Sequence, residues 1–435
     1  MAAKKRKRSP NGEERIFYRK AKALLLRNTV IRMKVLQINS FCGVGSTGRI
    51  ATDLSREMTR EGIDNLIYYG VGQSNYELSR RFGGIANLRT HQLGTRLTGR
   101  HGFFSAHTTK EMVRSIQEYD PDVIHLHNIH GHYLNVKVLF DYLSQADKPV
   151  VWTLHDCWAL TGHCAHFDAI GCEKWKSGCH DCPQKRAYPD SWLFDRSREN
   201  WVKKKALFQA VRWLHLVTPS QWLADLARES YFTNAEVCVI PNGIDLTVFT
   251  PSPSELRQKY APQGQKLVLG VTSVWSERKG LSDLIELSNR LGKNFCTLLI
   301  GLSKEQLARL PEGVMGRART DSTQQLAQYY TAADVFVNPT YEDTFPTTNL
   351  EALACGTPVV TYRTGGSPEA IDEHTGIVVA KGDIASLQEA VERASTGMFQ
   401  QKVCCEHAKQ FDRQLAGRRY IELYRSLTQE KITNQ

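Results

Sequence analysis

The chain has 435 residues, of which 41% are hydrophobic and 23% are charged, as is typical of a globular protein with two or three domains. Because no apolar run approaches ~20 residues, we expect no transmembrane helix. The charged N-terminal segment lacks a following apolar core, so we expect no secretory signal.

The net charge of +11 is concentrated at the N-terminus. Residues 1–32 contain 11 Lys and Arg against two acids, which leaves 45 basic and 43 acidic residues in the remainder. Lys4–Arg8 would suit a nucleic-acid-binding or import patch. The alternative that we favour is a disordered tail, or translation from an upstream start. Since Met33 opens a strand that the fold needs, we predict that residues 1–32 are a dispensable basic extension.

Strand and helix patterns alternate along the rest of the chain. Apolar runs predict strands at Lys34–Ile38, Leu66–Tyr69, Val123–His127, Pro149–Leu154, Trp213–Thr218, Val237–Ile240, Lys266–Val271, Cys296–Ile300, Val335–Val337 and Val359–Tyr362. Helices are predicted at Arg49–Glu61, Asn349–Ala354, Asp383–Ser395 and Phe411–Leu427. This alternation predicts an α/β fold of doubly wound sheets. Leu246–Gln265, which is rich in polar residues, is the predicted linker between domains at 33–250 and 266–410.

A glycine-rich turn follows the first predicted strand and opens a helix. The turn Gly43–Gly48 has the spacing GxGxxG, in which Gly45 and Gly48 are the second and third glycines. With a strand before it and a helix after it, such a turn suits phosphate. A dinucleotide site would also need an acid at the end of the second strand, which instead ends at Tyr69 and Gly70. A dehydrogenase is therefore not expected.

The most informative stretch, residues 337–369, has the order strand, acidic loop, helix, strand and glycine turn. Its loop carries Glu342 and Asp343, its helix carries Glu351, and its turn is Gly365–Gly366. Open parallel sheets bind ligands at the carboxyl ends of their strands. Carboxylates at that edge suit sugar hydroxyls, because a charged acceptor binds O–H donors strongly. Backbone amides of a glycine turn suit phosphate.

This stretch resembles the donor-binding signature of the retaining glycosyltransferases of family four, whose GT-B fold has two Rossmann-like domains facing a central cleft. The signature has two acids eight positions apart, as are Asp343 and Glu351. The family usually has Glu at the first position, so either Asp343 or its neighbour Glu342 is expected to face the donor sugar. Glu351 matches the family residue that holds the ribose of the donor nucleotide.

The resemblance assigns further residues to a catalytic site that works without a metal. Lys279 matches a family lysine beside the donor diphosphate. The family's partner arginine is missing from its usual place a few residues earlier, and Arg278 is the available substitute. His155 matches a histidine near the reacting sugar carbon. Two glycine turns match segments near the diphosphate: Gly45 with Gly48, and Gly365 with Gly366. The C-terminal helix, residues 411–428, is expected to cross back to the first domain.

Other histidines close the strand before His155. His125, His127 and His130 are either contacts of the acceptor or polar residues that cap a buried strand. The sequence leaves both interpretations open.

Five of the eleven cysteines lie between Cys157 and Cys182. Cys179 and Cys182 form a CxxC pair, which is a common half of a tetrahedral zinc site, and Cys164 and Cys172 would complete it. The surrounding insertion, residues 157–190, has a loop-like sequence, and a structural zinc would fix such a loop. Free thiols are the alternative; disulfides are less expected in a chain without an export signal.

The segment LHDCWALTGHC at this insertion is similar to that of bacterial exopolysaccharide and O-antigen members of the family. The similarity implies a lipid-linked glycan as acceptor. Arg196–Trp213 joins basic residues with aromatic ones and is either an interfacial helix or a helix whose aromatics face the core. We predict a cytoplasmic enzyme, peripheral at the inner face of the membrane if that helix touches lipid.

Two rival functions remain from the sequence. One is a GT-B synthase that acts on a soluble sugar. The other is a nucleic-acid-binding protein that uses the basic tail and the cysteine cluster. A nucleic-acid-binding protein would require residues 1–32 for its function, whereas a glycosyltransferase would not. We expect no nucleic-acid partner.

Overall fold

The computed structural model describes residues 32–433, which form two parallel sheets with helices on both faces. Residues 1–31, and with them Lys4–Arg8 of the predicted basic extension, lie outside the described residues. The first sheet has seven strands in the order β3-β2-β1-β4-β5-β6-β7. They are β1 Lys34–Asn39, β2 Asp64–Tyr69, β3 Ser79–Arg81, β4 Val123–Leu126, β5 Val150–Thr153, β6 Leu214–Thr218 and β7 Glu236–Val239.

The second sheet has six strands in the order β10-β9-β8-β11-β12-β13. They are β8 Lys266–Val271, β9 Phe295–Ile300, β10 Val314–Arg317, β11 Val335–Asn338, β12 Val359–Tyr362 and β13 Gly376–Val379. The predicted class, two doubly wound α/β sheets, is confirmed. In both sheets the strand order reverses beside the first strand, and ligands bind at such a switch point.

Helices cover both faces of each sheet. With the first sheet lie α1 Gly45–Arg60, α2 Ile85–Thr98, α3 Ala106–Tyr119, α4 Val136–Leu143, α5 Lys174–Ser177, α6 Ser197–Gln209 and α7 Gln221–Glu229. The linker and the second half contribute α8 Leu256–Tyr260, α9 Leu281–Leu291, α10 Lys304–Leu307, α11 Thr323–Ala332, α12 Thr347–Ala354, α13 Ile384–Ala394, α14 Gln401–Ala408 and α15 Arg413–Thr433. The central strands read as continuous apolar runs because helices bury both of their faces.

The last helix, α15, packs on α1 of the first half rather than on the second sheet. The hydroxyl of Tyr420 lies 2.9 Å from that of Thr153, and the hydroxyl of Tyr424 lies 2.6 Å from Nδ1 of His125. Gly417 permits this packing, because a Cβ there would lie 2.6 Å from Cγ of Glu57. The C-terminus thus fastens the two halves together.

Helix α6 occupies the basic and aromatic segment Arg196–Trp213. Its Trp201 and Phe208 are buried in the core of the first half, as the second interpretation of this segment predicts. Lys204 is also buried, where its ammonium donates to the carbonyl of Thr161 at 2.7 Å. The main aromatic anchors of an interfacial helix are therefore turned inward. Among residues 32–433, no helix has the length and apolarity to cross a membrane.

Candidate active site

An ion pair joins two loops at the carboxyl ends of neighbouring strands of the second sheet. Nζ of Lys279 lies 2.6 Å from a carboxylate oxygen of Asp343. Lys279 ends a 3₁₀ turn after β8, and Asp343 lies in the loop after β11. The turn can approach the loop because Gly280 has a φ of +73°, and a Cβ there would lie 2.2 Å from the carbonyl oxygen of Pro339.

The two adjacent acids of this loop have different partners. Burial raises the pKa of Glu342, whose carboxylate accepts the Ala169 N–H at 3.1 Å. Burial acts on Asp343 in the same direction, but the charge and hydrogen bond of Lys279, together with the nearby His166 and Arg278, outweigh it and lower the pKa of Asp343. Of the two alternatives left by the sequence, Asp343 is the acid that pairs with the candidate cation.

Arg278 lies beside the same loop. Its Nε is 3.9 Å from the Glu342 carboxylate, and its side chain is 41% exposed. The guanidinium also donates to the backbone carbonyl of Glu342 at 3.4 Å. Lys279 and Arg278 therefore place two positive charges against the acidic loop, and exposure leaves Arg278 accessible to an anionic ligand.

The glycine turn after β12 packs directly on the acidic loop. Gly365 has a φ of +52°, and a Cβ at that position would lie 1.8 Å from the carbonyl oxygen of Asp343. The N–H of Gly366 donates to the same oxygen at 3.3 Å. Both predicted glycines are thus required by close approach. The structure brings them to the Lys279–Asp343 pair.

Glu351 lines a separate part of the cleft. It lies on α12, is 8% exposed, and accepts the hydroxyl of Tyr330 at 3.0 Å. Burial raises the pKa of Glu351 to about 7, although Tyr330 and the nearby charge of Arg49 oppose the shift. Its cavity of about 290 Å³ is also lined by Gly43 and Arg49 of the first half.

The glycine turn of the first half, Gly43–Gly48, is held by an internal hydrogen bond and overlaps the start of α1. The N–H of Gly43 donates to the carbonyl of Gly48 at 3.0 Å. Gly45 opens the helix with a φ of +68°, and a Cβ on Gly48 would lie 3.3 Å from backbone atoms of Phe41. The N-terminus of α1, which carries a partial positive charge, borders the same cavity as Glu351.

His155 follows β5 and faces the acidic loop. Its carbonyl accepts the hydroxyl of Thr344 at 2.9 Å. Its Nε2 lies 3.0 Å from Nδ1 of His127, whose other nitrogen lies 2.9 Å from Oε1 of Gln37. Burial lowers the pKa of His155 to about 4, so the ring is uncharged at neutral pH and this chain of hydrogen bonds fixes its orientation.

The other histidines of β4 divide between two roles. His125 is buried in the core between Thr153 and Tyr424, so it is structural. His130, in the loop after β4, lies 2.7 Å from a carboxylate oxygen of Asp156 and 3.0 Å from the Tyr188 hydroxyl. Neither role was separable in the sequence, since both residues occupy the same HLHNIH motif.

The four cysteines of the predicted zinc set line one small cavity. The thiols of Cys164 and Cys182 lie within hydrogen-bonding distance of each other, and the sulfur of Cys179 accepts the Gly162 N–H at 3.2 Å. Cys172 completes the lining. Within the described range 32–433, no group of three or more His, Cys, Asp or Glu is placed to hold a metal ion. The chemistry of four thiols suits zinc; their present arrangement does not form a ligand set.

The second half also reaches across the cleft at two other points. Lys381 pairs with Asp168 of the cysteine-rich insertion at 3.2 Å. Glu369 accepts the N–H groups of Gln221 and Trp222 at 2.6 and 2.8 Å. Glu369 thus caps α7 of the first half.

The predicted site residues thus fall into two adjoining groups. One contains the ion pair and its surroundings: Lys279, Arg278, Glu342, Asp343, Gly365, Gly366 and His155. The other borders the cavity of Glu351 and includes the turn of Gly45 and Gly48. Sequence reasoning did not assign roles to Gln37 and Tyr330, because a lone polar residue within an apolar strand or helix pattern carries no distinguishing signal.

Two family models match the chain, one for each half. A model described as Glycosyltransferase Family 4 matches residues 47–248, and one described as Glycosyl transferases group 1 matches residues 265–396. The chain is 26% identical over 376 residues to the putative colanic acid biosynthesis glycosyl transferase WcaC of Escherichia coli K12. That match covers 82% of this chain and 89% of WcaC.

Solved structures of similar fold cover nearly the whole described chain. Sucrose-phosphate synthase from Thermosynechococcus elongatus has a TM-score of 0.68 and 18% identity, over 91% of this chain and 99% of that chain. Anabaena Alr3699/HepE in complex with UDP and glucose has a TM-score of 0.63 and 17% identity, over 91% and 100% respectively. These likenesses support the same two-domain fold.

Proposed function

This chain belongs to glycosyltransferase family 4, with the GT-B fold, and we propose that it transfers a sugar from a nucleoside-diphosphate sugar to a glycan acceptor, with retention of anomeric configuration and without a metal. The observation that carries the proposal is the Lys279–Asp343 ion pair at 2.6 Å. The pair lies at the carboxyl ends of the strands, which is where an open α/β sheet binds its ligand.

Lys279 and Arg278 would stabilise the leaving diphosphate. Negative charge accumulates on that group as its bond to the sugar breaks, and fixed cations at that point lower the barrier. Asp343 holds the ammonium of Lys279 in place, and the amides of the Gly365–Gly366 turn lie against the same loop. These groups account for leaving-group stabilisation without a metal ion.

Glu351 would accept the ribose hydroxyls of the donor nucleotide. Its carboxylate lines the cavity between the two halves, opposite the N-terminus of α1. A pKa of about 7 leaves a substantial fraction of the group ionised near neutral pH, and a carboxylate accepts sugar hydroxyls strongly. Arg49, on the other wall of this cavity, adds a positive charge toward the phosphates.

The transfer step would follow from this arrangement. The acceptor hydroxyl oxygen forms a bond to the anomeric carbon on the face from which the diphosphate departs. The bond between that carbon and the phosphate oxygen breaks, and its electron pair leaves with the diphosphate, which takes the proton of the acceptor hydroxyl. His155, uncharged and held by His127, supplies hydrogen bonds beside the reacting carbon.

Surface polysaccharide biosynthesis is the proposed setting. WcaC, whose name places it in colanic acid biosynthesis, matches most of this chain, and the LHDCWALTGHC segment is similar to that of exopolysaccharide and O-antigen members of the family. A lipid-linked oligosaccharide is the proposed acceptor, with the enzyme in the cytoplasm or at the inner face of the membrane. A soluble sugar acceptor is the rival proposal, and an acceptor screen with and without lipid separates the two.

A donor screen tests the proposal directly. Thermal unfolding of residues 33–435 would be measured with UDP-, GDP- and ADP-sugars in the presence of EDTA, and turnover with the best donor would be followed in the same buffer. We expect stabilisation by one class of nucleotide sugar and turnover without added metal. No stabilisation by any donor contradicts the proposed donor site; activity only with divalent metal contradicts the metal-independent mechanism.

A structural zinc in the cysteine-rich insertion is a separate proposal. It is supported by the common cavity of Cys164, Cys172, Cys179 and Cys182 and by the preference of zinc for four thiolates; binding would require these thiols to rearrange into a ligand set. Four thiolates would leave no open coordination position, so the role of this zinc would be to hold the insertion and not to take part in transfer.

A further inference from the structure

The cysteine-rich insertion spans the cleft and carries a histidine to the acidic loop. On one side of His166, the carbonyl of Ala165 accepts the Cys157 N–H at 2.8 Å, which ties the chain to the end of β5. On the other side, Ala169 donates to Glu342, and Asp168 pairs with Lys381 at 3.2 Å. The backbone around His166 is therefore held by both halves of the molecule.

His166 lies among the charged groups of the candidate active site. Its environment includes Asp156 from the first half and Asp343, Lys279 and Arg278 from the second. The side chain is partly exposed, and neither ring nitrogen is hydrogen-bonded to another residue in the range 32–433. His166 thus has one donor and one acceptor available where the two halves meet.

We propose that His166 is a specificity-determining residue that hydrogen-bonds a hydroxyl of the transferred sugar in the donor complex. The inference rests on the proposed function, since it requires a nucleoside-diphosphate sugar at the Lys279–Asp343 pair. It adds a residue from the insertion to a donor site that is otherwise built by the second half.

The chemistry of the site favours a sugar hydroxyl over a phosphate as the partner of this ring. A neutral imidazole offers one N–H and one lone pair. A hydroxyl group complements both. A phosphate placed next to His166 would face the negative carboxylates of Asp156 and Asp343. The positive charges of Lys279 and Arg278 are better partners for the phosphates of the donor.

The insertion is anchored well enough to position this ring. Lys204 of α6 donates to the carbonyls of Trp158 and Thr161. The hydroxyl of Thr161 donates in turn to the carbonyl of Cys164 at 2.6 Å. The segment leading to His166 is therefore fixed to the core of the first half, and a fixed donor can discriminate between hydroxyl configurations.

Calorimetry on three variants tests the proposal. The wild-type chain, His166→Ala and His166→Asn would be titrated with UDP, UDP-glucose and UDP-galactose, and with GDP and GDP-mannose. His180→Ala is the matched control, because His180 lies in the same insertion with a side chain that is 55% exposed. For the nucleotide sugar that the wild type prefers, His166→Ala should weaken affinity about tenfold, as expected for one lost hydrogen bond.

The affinity for the free nucleotide should be unchanged in every variant, and the preference between UDP-glucose and UDP-galactose should narrow only in the His166 variants. Equal affinity of wild type and His166→Ala for the nucleotide sugar overturns the inference. An equal loss of affinity for nucleotide and nucleotide sugar also overturns it, because it indicates a general structural role. If the wild type binds none of these ligands and no ADP-sugar either, the proposed function itself fails, which is a distinguishable result.

Discussion

The hydroxyl of Thr344 donates to the backbone carbonyl of His155 at 2.9 Å. This hydrogen bond connects the acidic loop of the second half to the end of β5 in the first. It therefore couples the candidate sugar-binding residues Asp343 and His155 to the relative position of the two halves. Glycosyl transfer benefits from closure of such a cleft, because closure excludes water from the activated sugar.

Replacement of Lys279 by Ala should lower turnover about 10²-fold, because one fixed positive charge beside the leaving diphosphate is lost. The Michaelis constant for the donor should change less than turnover, since the charge matters most in the transition state. Lys293→Ala, at an exposed position after α9, is the control. Initial rates with the donor identified by the thermal screen give the answer. Near wild-type turnover would contradict the role of Lys279 at the diphosphate.

Replacement of Glu351 by Gln should weaken nucleotide binding about tenfold while the fold is retained. An amide oxygen is a weaker acceptor for ribose hydroxyls than a carboxylate. Calorimetry with the free nucleoside diphosphate measures the effect, and Glu389→Gln, on α13 of the same half, is the control. Unchanged affinity would exclude Glu351 as the ribose ligand.

The same variant should change the pH dependence of stability. Burial raises the pKa of Glu351 from 4.5 to about 7, so the folded state retains a proton that the unfolded state loses between these values. The unfolding free energy contributed by this group therefore falls as pH rises from 4.5 to 7. Glu351→Gln removes that loss and should stabilise the protein at pH 8 by up to about 3 kcal/mol. Urea unfolding at pH 5 and pH 8 would show the difference; equal effects at both pH values would contradict it.

The sequence identified the elements that have a strong local pattern. Strands β8 and β12 have the predicted bounds, because their largely apolar runs are buried between helices. Three strands were missed, and all lie at or beside a sheet edge: β3, β10 and β13. The sequence of β3 is Ser-Arg-Arg, so its strand structure comes from pairing with β2 and not from its own residues.

In the candidate site, too, local features were predicted from the sequence and long-range contacts were not. The spacing of Asp343 and Glu351 placed both acids correctly on a loop and a helix. Contacts across the cleft were not predictable, since the Ala169–Glu342 hydrogen bond joins residues 173 positions apart. The cap of α7 by Glu369 was equally unpredictable, since Glu369 and Gln221 are 148 positions apart. Such contacts depend on how two domains approach each other, for which one sequence carries no local signal.

Buried neutral histidines should make the protein sensitive to acid. Burial lowers the pKa of His91 to about 3, and those of His132 and His155 to about 4, from an ordinary value of 6.5. The unfolded chain therefore binds protons below pH 6.5 that the folded chain does not. The contribution of these histidines to the free energy of unfolding is fully present above pH 6.5. It is lost as pH falls toward 4, by about 1.4 kcal/mol per histidine and pH unit.

Urea unfolding at pH 7.5, 6.0 and 5.0 would measure this loss. His91→Gln should reduce the dependence on pH, whereas His107→Gln should leave it unchanged, because the side chain of His107 is 85% exposed. A free energy of unfolding that stays constant between pH 7.5 and 5.0 would contradict the prediction.

Deletion of residues 1–32 should leave glycosyl transfer unchanged. Those residues carry most of the net positive charge, but the strands within residues 32–433 and the candidate site residues all lie after Met33. Turnover of the two forms with the same donor and acceptor, together with a gel-shift test for nucleic-acid binding, would be compared. Loss of function on deletion would favour the nucleic-acid-binding alternative.

Zinc should be present at about one equivalent per chain if the four cysteines hold a structural ion. The double variant Cys179→Ser/Cys182→Ser should lose the metal and unfold at a lower temperature, because the ion would no longer cross-link the insertion. Cys296→Ser, in the second sheet, is the control. Elemental analysis and thermal unfolding give the result. The zinc site would be excluded if the wild-type protein, purified from zinc-containing medium, is folded and holds no metal. The cysteines would then be thiols that pack the insertion, and Lys204 and Trp158 would remain its principal anchors.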